Sequence, residues 1–282
     1  MENVSNFIDI IDELPTLPTI FTVLSDVMSN PWSTALDVAN VITQDQSAAS
    51  KILKTANSSI YGFRGRISTV SEAISFIGFE EVKNLVLALS IINMFGTDSM
   101  RPGLNPVKLW KHSIAVGVIS RFLGKTIGIK NLENYFIAGI LHDIGKLVFF
   151  KYIPDEYAKA LEYCSDNSVP AKDGEQATLG ITHTIIGEMI ADKWKLPSSL
   201  KEPIKYHTMG MVEGKHVPLV AAVHVADITA KFISCNLGEC EIAPEPNYEV
   251  WEDIALPDNF FTDHLKIIRT QYVESINLLL KN

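Results

Sequence analysis

The sequence has few cysteines, no surplus of positive charge and no apolar run of membrane length. Its three cysteines, Cys164, Cys235 and Cys240, form no Cys-x-x-Cys pair, which excludes a disulfide framework and favours a reducing compartment, the cytoplasm. The net charge is −9, so we expect no non-specific DNA binding, although a small basic pocket for one nucleotide is not excluded. The longest apolar run, LVLALSIINMF, is too short to span a bilayer, so no membrane association is expected.

Helical periodicity dominates the sequence. Apolar residues recur mostly at spacings of three and four and strand-like alternation is nearly absent, which predicts an all-α fold. Breaks at Pro and Gly predict about five short helices in the first hundred residues. Thr69 is followed three residues later by Glu72, a capping-box spacing that predicts a helix start. A polar linker is predicted from Asp98 to Pro106, and an irregular segment from Glu239 to Asp258. Later helices are predicted to begin near Val107, Leu132, Asp155, Thr182, Pro197 and Val217, with a last one from about Thr262 to Leu280.

The stretch AGILHDIGKLVFF, residues 138–150, places three ionisable residues in an otherwise apolar run. On a single helix, Gly139, His142, Asp143 and Lys146 share one face, because residues three and four apart are neighbours. A helix that is apolar on most sides is usually buried, and buried His, Asp and Lys are costly unless they are paired, hydrogen-bonded or metal-bound. This face therefore needs partners from elsewhere in the chain.

Candidate partners lie on other predicted helices. His112 shares a face with apolar residues, and Gly187 lies one turn after His183, which would let a neighbouring helix approach closely. His207 closes one predicted helix, and Asp227 lies on another. Imidazole nitrogens and carboxylate oxygens are usual ligands of Zn, Mn and Fe, and a helical bundle core is a usual place for such a site. Any one of these residues alone is more often a core or capping residue, but their order predicts a metal-binding cluster. Structural or surface roles are assigned to His216, His224 and His264.

These segments together resemble the HDOD family, a branch of the HD-domain phosphohydrolase superfamily found mainly in bacterial signalling proteins. The resemblance covers about residues 7 to 235. It rests on LPTLPTIFTVLSDVMSNP, VANVITQDQSAASKILKTANSSIYGFRGRISTVSEAISFIGFEEVKNLVLALS, LWKHS, GILHDIGKL, LGITHTIIGEMIADKWKLP and IKYH. It implies an HD-domain-like multi-helical bundle. The predicted organisation is a single HDOD-type unit over 1–282, with an N-terminal helical subdomain at 7–97, a metal-site bundle at 106–236 and a C-terminal helix at 259–282 that could pack on the bundle or serve an oligomer.

The resemblance also implies a ligand set. In HD hydrolases the order His, His-Asp, Asp holds one metal, and the matching residues are His112, His142, Asp143 and Asp227. In the related HD-GYP phosphodiesterases two further histidines help to hold a second metal, with the Asp of the pair bridging, and the matching residues are His183 and His207. One or two divalent ions, Fe, Mn or Zn, are therefore implied. Asp143 and Lys146 are implied as catalytic residues, with Lys146 near the scissile phosphate.

Three functions stay open. The first is a signalling module that acts through signalling proteins; it is favoured by Thr-Met-Gly after His207, where HD-GYP enzymes have a second His and then Gly-Tyr-Pro. The second is a metal-dependent phosphohydrolase acting on a nucleotide or cyclic dinucleotide. The third is a receptor for such a ligand, although a solvated charged face also explains its basic candidates. These candidates are Lys51, Lys54, Arg64, Arg66 and Lys83. The sequence carries no receiver, kinase or cyclase region, so a stand-alone regulator or a part of a longer protein is expected.

Overall fold

The computed structural model describes residues 2–58, 61, 66–96, 104–235, 242–257 and 259–280. Within these ranges the regular structure is helical and there is no strand, so the all-α prediction is confirmed. In the same ranges no helix combines the length and the apolar character needed to cross a bilayer. Arg64, Cys240, most of the predicted 98–106 linker and the start of the predicted irregular segment lie outside the described residues.

The described helices are, in chain order, α1 (Glu2–Glu13), α2 (Thr19–Ser29), α3 (Ala35–Ile42), α4 (Gln46–Ala56), α5 (Val70–Ile77), α6 (Phe79–Phe95), α7 (Pro106–Thr126), α8 (Glu133–Leu141), α9 (Ile144–Tyr152), α10 (Pro154–Asn167), α11 (Ala171–Leu179), α12 (His183–Lys193), α13 (Ser198–Tyr206), α14 (Pro218–Cys235), α15 (Tyr248–Ile254) and α16 (Phe260–Leu279). They form two compact units. The first comprises Met1–Pro15 and Thr97–His264, and the second comprises Thr16–Gly96 and Leu265–Asn282.

The first unit contains α1 and α7 to α15. Helix α1 belongs to it because the Phe7 ring packs edge-on against the Phe149 ring, with 5.9 Å between centroids. Lys193 Nζ also donates a hydrogen bond of 2.6 Å to the Ile11 carbonyl. In the core of this unit, helices α7, α8, α9 and α14 are apolar on most sides. This pattern is typical of helices surrounded by other helices. The residues predicted to form the metal site all lie in this unit.

The second unit contains α2 to α6 and most of α16. Helix α5 begins with the predicted capping box: Thr69 Oγ1 accepts a hydrogen bond from the Glu72 amide, and the Glu72 carboxylate accepts one from the Thr69 amide. Lys51 is buried on α4 and its ammonium group lies 3.5 Å from the Leu279 carbonyl oxygen. Of the basic residues considered for nucleotide binding, Lys51 is therefore a core residue, and Lys83 forms a 3.8 Å ion pair with Glu80.

Thr69→Ala is expected to lower the free energy of unfolding by about 1 kcal/mol, because the substitution leaves the Glu72 amide at the start of α5 without its acceptor. Urea unfolding followed by circular dichroism measures this change. The matched control is Ser75→Ala on the same helix, because the Ser75 hydroxyl bonds only an exposed carbonyl of its own helix, that of Ser71. An equal effect of the two substitutions would contradict the capping role.

Helix starts agree with the sequence more closely than helix breaks do. Six described helices precede residue 97 where about five were predicted. The six later starts predicted from Val107 to Val217 each lie within one residue of an observed start, whereas α11 was not predicted and α16 begins two residues before the predicted Thr262. The single helix predicted through AGILHDIGKLVFF is wrong: α8 ends at Leu141 and α9 begins at Ile144, so His142 and Asp143 form the turn between two helices. The segment predicted as irregular contains α15, whose first turn is capped by Asn247.

Candidate metal centre

The structure brings all six predicted ligands into one cluster. His112 comes from α7, His142 and Asp143 from the α8–α9 turn, His183 from the first residue of α12, His207 from the end of α13, and Asp227 from α14. The side chains of five of them are at most 3% exposed, whereas that of His112 is 15% exposed. His112 therefore lies at the side of the cluster nearest to solvent.

The turn between α8 and α9 aims both His142 and Asp143 at the cluster. Asp143 has φ −99° and ψ 18°, in the sparsely populated bridge region where many active-site residues lie. His142 Nδ1 donates a 2.7 Å hydrogen bond to the Gly139 carbonyl. Because Nδ1 carries the proton, Nε2 faces the cluster as a potential ligand atom.

Glycines allow the helices around this turn to approach closely. A Cβ atom on Gly145 would collide with the main-chain carbonyl of His183 and would lie 3.0 Å from the Gly187 amide nitrogen. The close approach predicted at Gly187 is present, since a Cβ there would lie 2.5 Å from the Ile204 side chain. These contacts place the start of α12, with His183, beside Asp143.

The ligand atoms form two overlapping groups among the described residues. His112, His142 and Asp227 each offer one atom within 4.8 Å of the other two, and so do His142, Asp143 and His207. In the first group, Asp227 Oδ1 lies 2.9 Å from His112 Nε2 and 3.7 Å from His142 Nε2. The donor set of imidazole and carboxylate suits Zn, Mn or Fe.

The Asp143 carboxylate belongs to the second group and also lies close to the first group and to His183. Its Oδ2 lies 3.3 Å from His142 Nε2 and 3.9 Å from His112 Nε2. Its Oδ1 lies 3.3 Å from His183 Nε2 and 3.5 Å from His207 Nε2. One carboxylate is thus positioned to share its two oxygens between two ions.

Two of these atoms are buried without a hydrogen bond within the described part of the chain: His142 Nε2 and Asp143 Oδ1. A buried polar atom that lacks a partner costs about 1–3 kcal/mol, so such atoms usually mark an ion, a water molecule or a functional role. Here both atoms point into a cluster of metal-ligand type. The residues present therefore fit a divalent metal.

Glu175 supports the cluster and was not predicted from the sequence. It is fully buried on α11, and its Oε2 accepts hydrogen bonds from His183 Nδ1 at 2.6 Å and from the His183 amide at 2.8 Å. Tyr157 donates its hydroxyl proton to Oε1 at 3.2 Å. A carboxylate behind a ligating histidine fixes the tautomer and orientation of the ring. Glu175 stands in a polar segment, AKDGEQATL, which gives no sequence signal of burial.

Two buried lysines neutralise the two carboxylates. Lys146 Nζ lies 2.7 Å from Asp143 Oδ2, and Lys231 Nζ lies 2.8 Å from Asp227 Oδ2. Lys146 was predicted near a scissile phosphate, and the structure places it in this ion pair. Lys231 was not singled out, although its spacing of four residues from Asp227 on an otherwise apolar helix is a signal that could have found it.

The charges in the cluster are strongly coupled. Burial acts to raise the pKa of Asp143 and of Asp227, yet the neighbouring His142, Lys146 and Lys231 hold both values well below the usual range. Burial acts to lower the pKa of His142, but Asp143 and Asp227 raise it to about 9. Burial holds the pKa of His207 well below its usual range, which favours the neutral imidazole that binds a metal, whereas metal binding at His142 Nε2 must displace a proton.

The remaining histidines lie outside the ligand set. His224 is buried, and its Nδ1 donates to the His207 carbonyl at 2.7 Å while its Nε2 accepts from the Asn247 amide at 3.0 Å. Burial lowers the pKa of His224. His264 stacks on the Phe260 ring, and His216 is exposed. These positions agree with the structural and surface roles predicted for them.

Comparison with solved structures shows which fold this chain shares. An HDOD domain protein of unknown function from Geobacter sulfurreducens is 23% identical, with a TM-score of 0.79 over 99% of this chain and 98% of that one. A Shewanella amazonensis SB2B protein named as a candidate phosphohydrolase is 23% identical, with a TM-score of 0.74 over 97% of each chain. At these identities the likeness shows the fold.

Sequence comparison gives the same relationship. A protein of Treponema pallidum (strain Nichols) whose function is not characterised is 26% identical over 228 residues, which are 80% of this chain. This chain spans 44% of the length of that relative. Residues 14–209 match the HDOD domain model, which is more than half of the chain, and the match includes five of the six clustered ligands. The chain belongs to the HDOD domain family.

Proposed function

We propose that this protein is a signal-transduction module whose HD-like pocket binds a divalent metal and which acts through signalling protein partners. The observation that supports metal binding is the position of Asp143. Its Oδ1 has no hydrogen-bond partner among the described residues and faces His183 and His207 in a buried cluster. A regulatory role is supported by the burial of the ligands. A phosphoester substrate would have to reach them, yet the side chain of His112, the most exposed ligand, is only 15% exposed.

The roles of the chain's own residues follow from their contacts. The chemistry that a bound divalent metal supplies is Lewis acidity toward phosphate oxygens. Glu175 orients His183, and the backbone carbonyls of Pro203 and Ile204 orient His207. Lys146 and Lys231 hold positive charge beside the two carboxylates. Because the two lysines already neutralise the two carboxylates, a bound divalent metal would give the pocket a net positive charge. A ligand of this pocket would then be anionic, as a nucleotide phosphate or a cyclic dinucleotide is.

The first test is the metal content of protein purified without chelator, compared with that of Asp143→Ala. The wild-type protein is expected to retain one or two Fe, Mn or Zn ions per chain, in keeping with its two ligand groups, and the variant is expected to lose them. The matched control is Asp192→Ala, because Asp192 forms an exposed ion pair with Lys201 in the same unit. Asp143→Asn replaces the alanine variant if that variant does not fold.

The outcome that contradicts the metal proposal is a folded wild-type protein that arrives without metal and takes up none when Fe, Mn or Zn is added. His142 and Asp143 would then be polar groups of the core. Retention of the metal in Asp143→Ala would contradict the assignment of Asp143 as a ligand.

A second candidate function is metal-dependent hydrolysis of a nucleotide or cyclic dinucleotide. It is favoured by the presence of every predicted ligand together with Lys146, which is held 2.7 Å from Asp143. The test is a broad phosphoester panel with metal-loaded protein. Steady turnover that disappears in Asp143→Ala would replace the regulatory proposal with this one, and failure across the panel would count against hydrolysis.

A further inference from the structure

His224 joins a candidate ligand to the segment that contains α15. This histidine lies outside the ligand set, is fully buried on α14, and donates from Nδ1 to the His207 carbonyl oxygen at 2.7 Å. Its Nε2 accepts a hydrogen bond of 3.0 Å from the Asn247 amide. A neutral imidazole offers one donor and one acceptor, and both are used here. One ring therefore connects the backbone of His207 to the backbone of Asn247.

Asn247 makes a second connection to the same region. Its side-chain amide donates to the Met209 carbonyl oxygen at 2.9 Å, and its Oδ1 accepts from the Val250 amide at the start of α15. Gly210 has φ +76°, and a Cβ atom there would lie 3.0 Å from the His224 ring and 3.1 Å from the Val250 side chain. Glycine adopts this left-handed conformation without steric cost. The turn that follows α13 is therefore held between α14 and α15.

Helix α15 is weakly held. It has seven residues, of which Val250 and Ile254 are buried. It ends at Ala255 with φ 48°, a left-handed conformation that is unfavourable for a residue with a Cβ atom. Tyr248, in its first turn, is 74% exposed. A short element with few buried side chains opens at a lower free energy than core helices do. Opening of α15 would break both connections to the turn after α13.

We propose that α15 is a latch whose closure holds His207 in its metal-binding position and whose stability depends on metal occupancy. This inference rests on the proposed metal-binding function and specifies how the pocket is connected to the protein surface. Coupling between two sites is reciprocal: if opening of α15 weakens metal binding by some factor, metal binding favours the closed latch by the same factor. Occupancy of the buried pocket would then change the accessibility of α15, which is a signal that a protein partner can recognise.

The test is hydrogen exchange of the full chain, followed by mass spectrometry, without metal and with Zn²⁺, Mn²⁺ or Fe²⁺, whichever binds most tightly. The ion is expected to slow the exchange of the α15 backbone amides by at least about tenfold, in keeping with the effects of groups that orient metal ligands. The control segment is α5, which lies in the second unit and contains none of the candidate ligands. Its exchange should change by much less.

Two substitutions at Asn247 isolate the bond to His224. Asn247→Pro removes the amide donor, and proline fits the backbone there because φ is −78°. Asn247→Ala removes the side chain but keeps the amide donor, so it is the matched control. Competition with a chelator of known affinity should show that Asn247→Pro binds the ion about tenfold more weakly than Asn247→Ala does. The protection of α15 by the ion should also be smaller in Asn247→Pro.

The outcomes separate this inference from the proposed function. A wild-type protein that binds the ion without slower exchange in α15, or with equal slowing in α5, overturns the latch and leaves the metal site. Equal affinities of Asn247→Pro and Asn247→Ala overturn the role of the bond to His224. If Asn247→Pro does not fold, the exchange of α15 in the wild-type protein still decides. A folded wild-type protein that binds none of the three ions contradicts the proposed function itself.

Discussion

Gly145→Ala is expected to lower the free energy of unfolding of the metal-free protein by about 3 kcal/mol. The added methyl group would collide with the main-chain carbonyl of His183 and lie 2.8 Å from its carbonyl carbon. Backbone atoms cannot rotate away as a flexible side chain can, so α9 and α12 must separate. Urea unfolding measures the loss, and metal affinity should fall as well because His183 is displaced.

Gly174→Ala is the matched comparison, because its methyl group would meet a side chain, the Cys164 thiol, on the neighbouring helix α10. Cys164→Ala should therefore relieve much of the destabilisation caused by Gly174→Ala. The obstacle at Gly145 is main chain, which no truncation of a neighbouring side chain removes. If Gly145→Ala unfolds at the same urea concentration as the wild-type protein, the close approach of α9 and α12 is wrong.

Glu175→Gln is expected to weaken metal binding by about 10- to 100-fold. The substitution keeps the shape of the side chain but removes the charge that holds the His183 ring proton on Nδ1. A neutral amide offers a weaker acceptor and lets the ring adopt other tautomers, so Nε2 is no longer reliably a ligand. Competition between the protein and a chelator of known affinity measures the change.

Tyr157→Phe is the control for Glu175→Gln, because it removes the hydrogen bond to the other carboxylate oxygen, Oε1, and leaves the His183 contacts intact. Its effect on metal affinity should be clearly smaller. Equal effects of the two substitutions would mean that Glu175 acts through general packing. Unchanged affinity in Glu175→Gln would contradict its role in positioning His183.

The sequence by itself determined the all-α fold and most of the helix starts. Capping and periodicity are local, so Thr69 with Glu72 identified the start of α5, and six of the later starts were found to within one residue. The order of His and Asp residues, together with the family resemblance, also selected the side chains that the structure gathers from α7, the α8–α9 turn, α12, α13 and α14. These residues could be selected from the sequence because a His or Asp side chain is a possible metal ligand by its type alone.

Only the tertiary structure decided how those side chains are held. The break at His142 and Asp143 has no proline or cap to announce it, and it becomes visible through the contacts of α8 and α9 with their neighbours. Glu175 lies in a polar helix whose sequence predicts an exposed surface. Lys231 becomes part of the candidate metal centre only because α14 is buried, which brings its ammonium group against the Asp227 carboxylate. The physical reason is that burial and pairing of charge arise from residues far apart in the chain, which local sequence patterns do not encode.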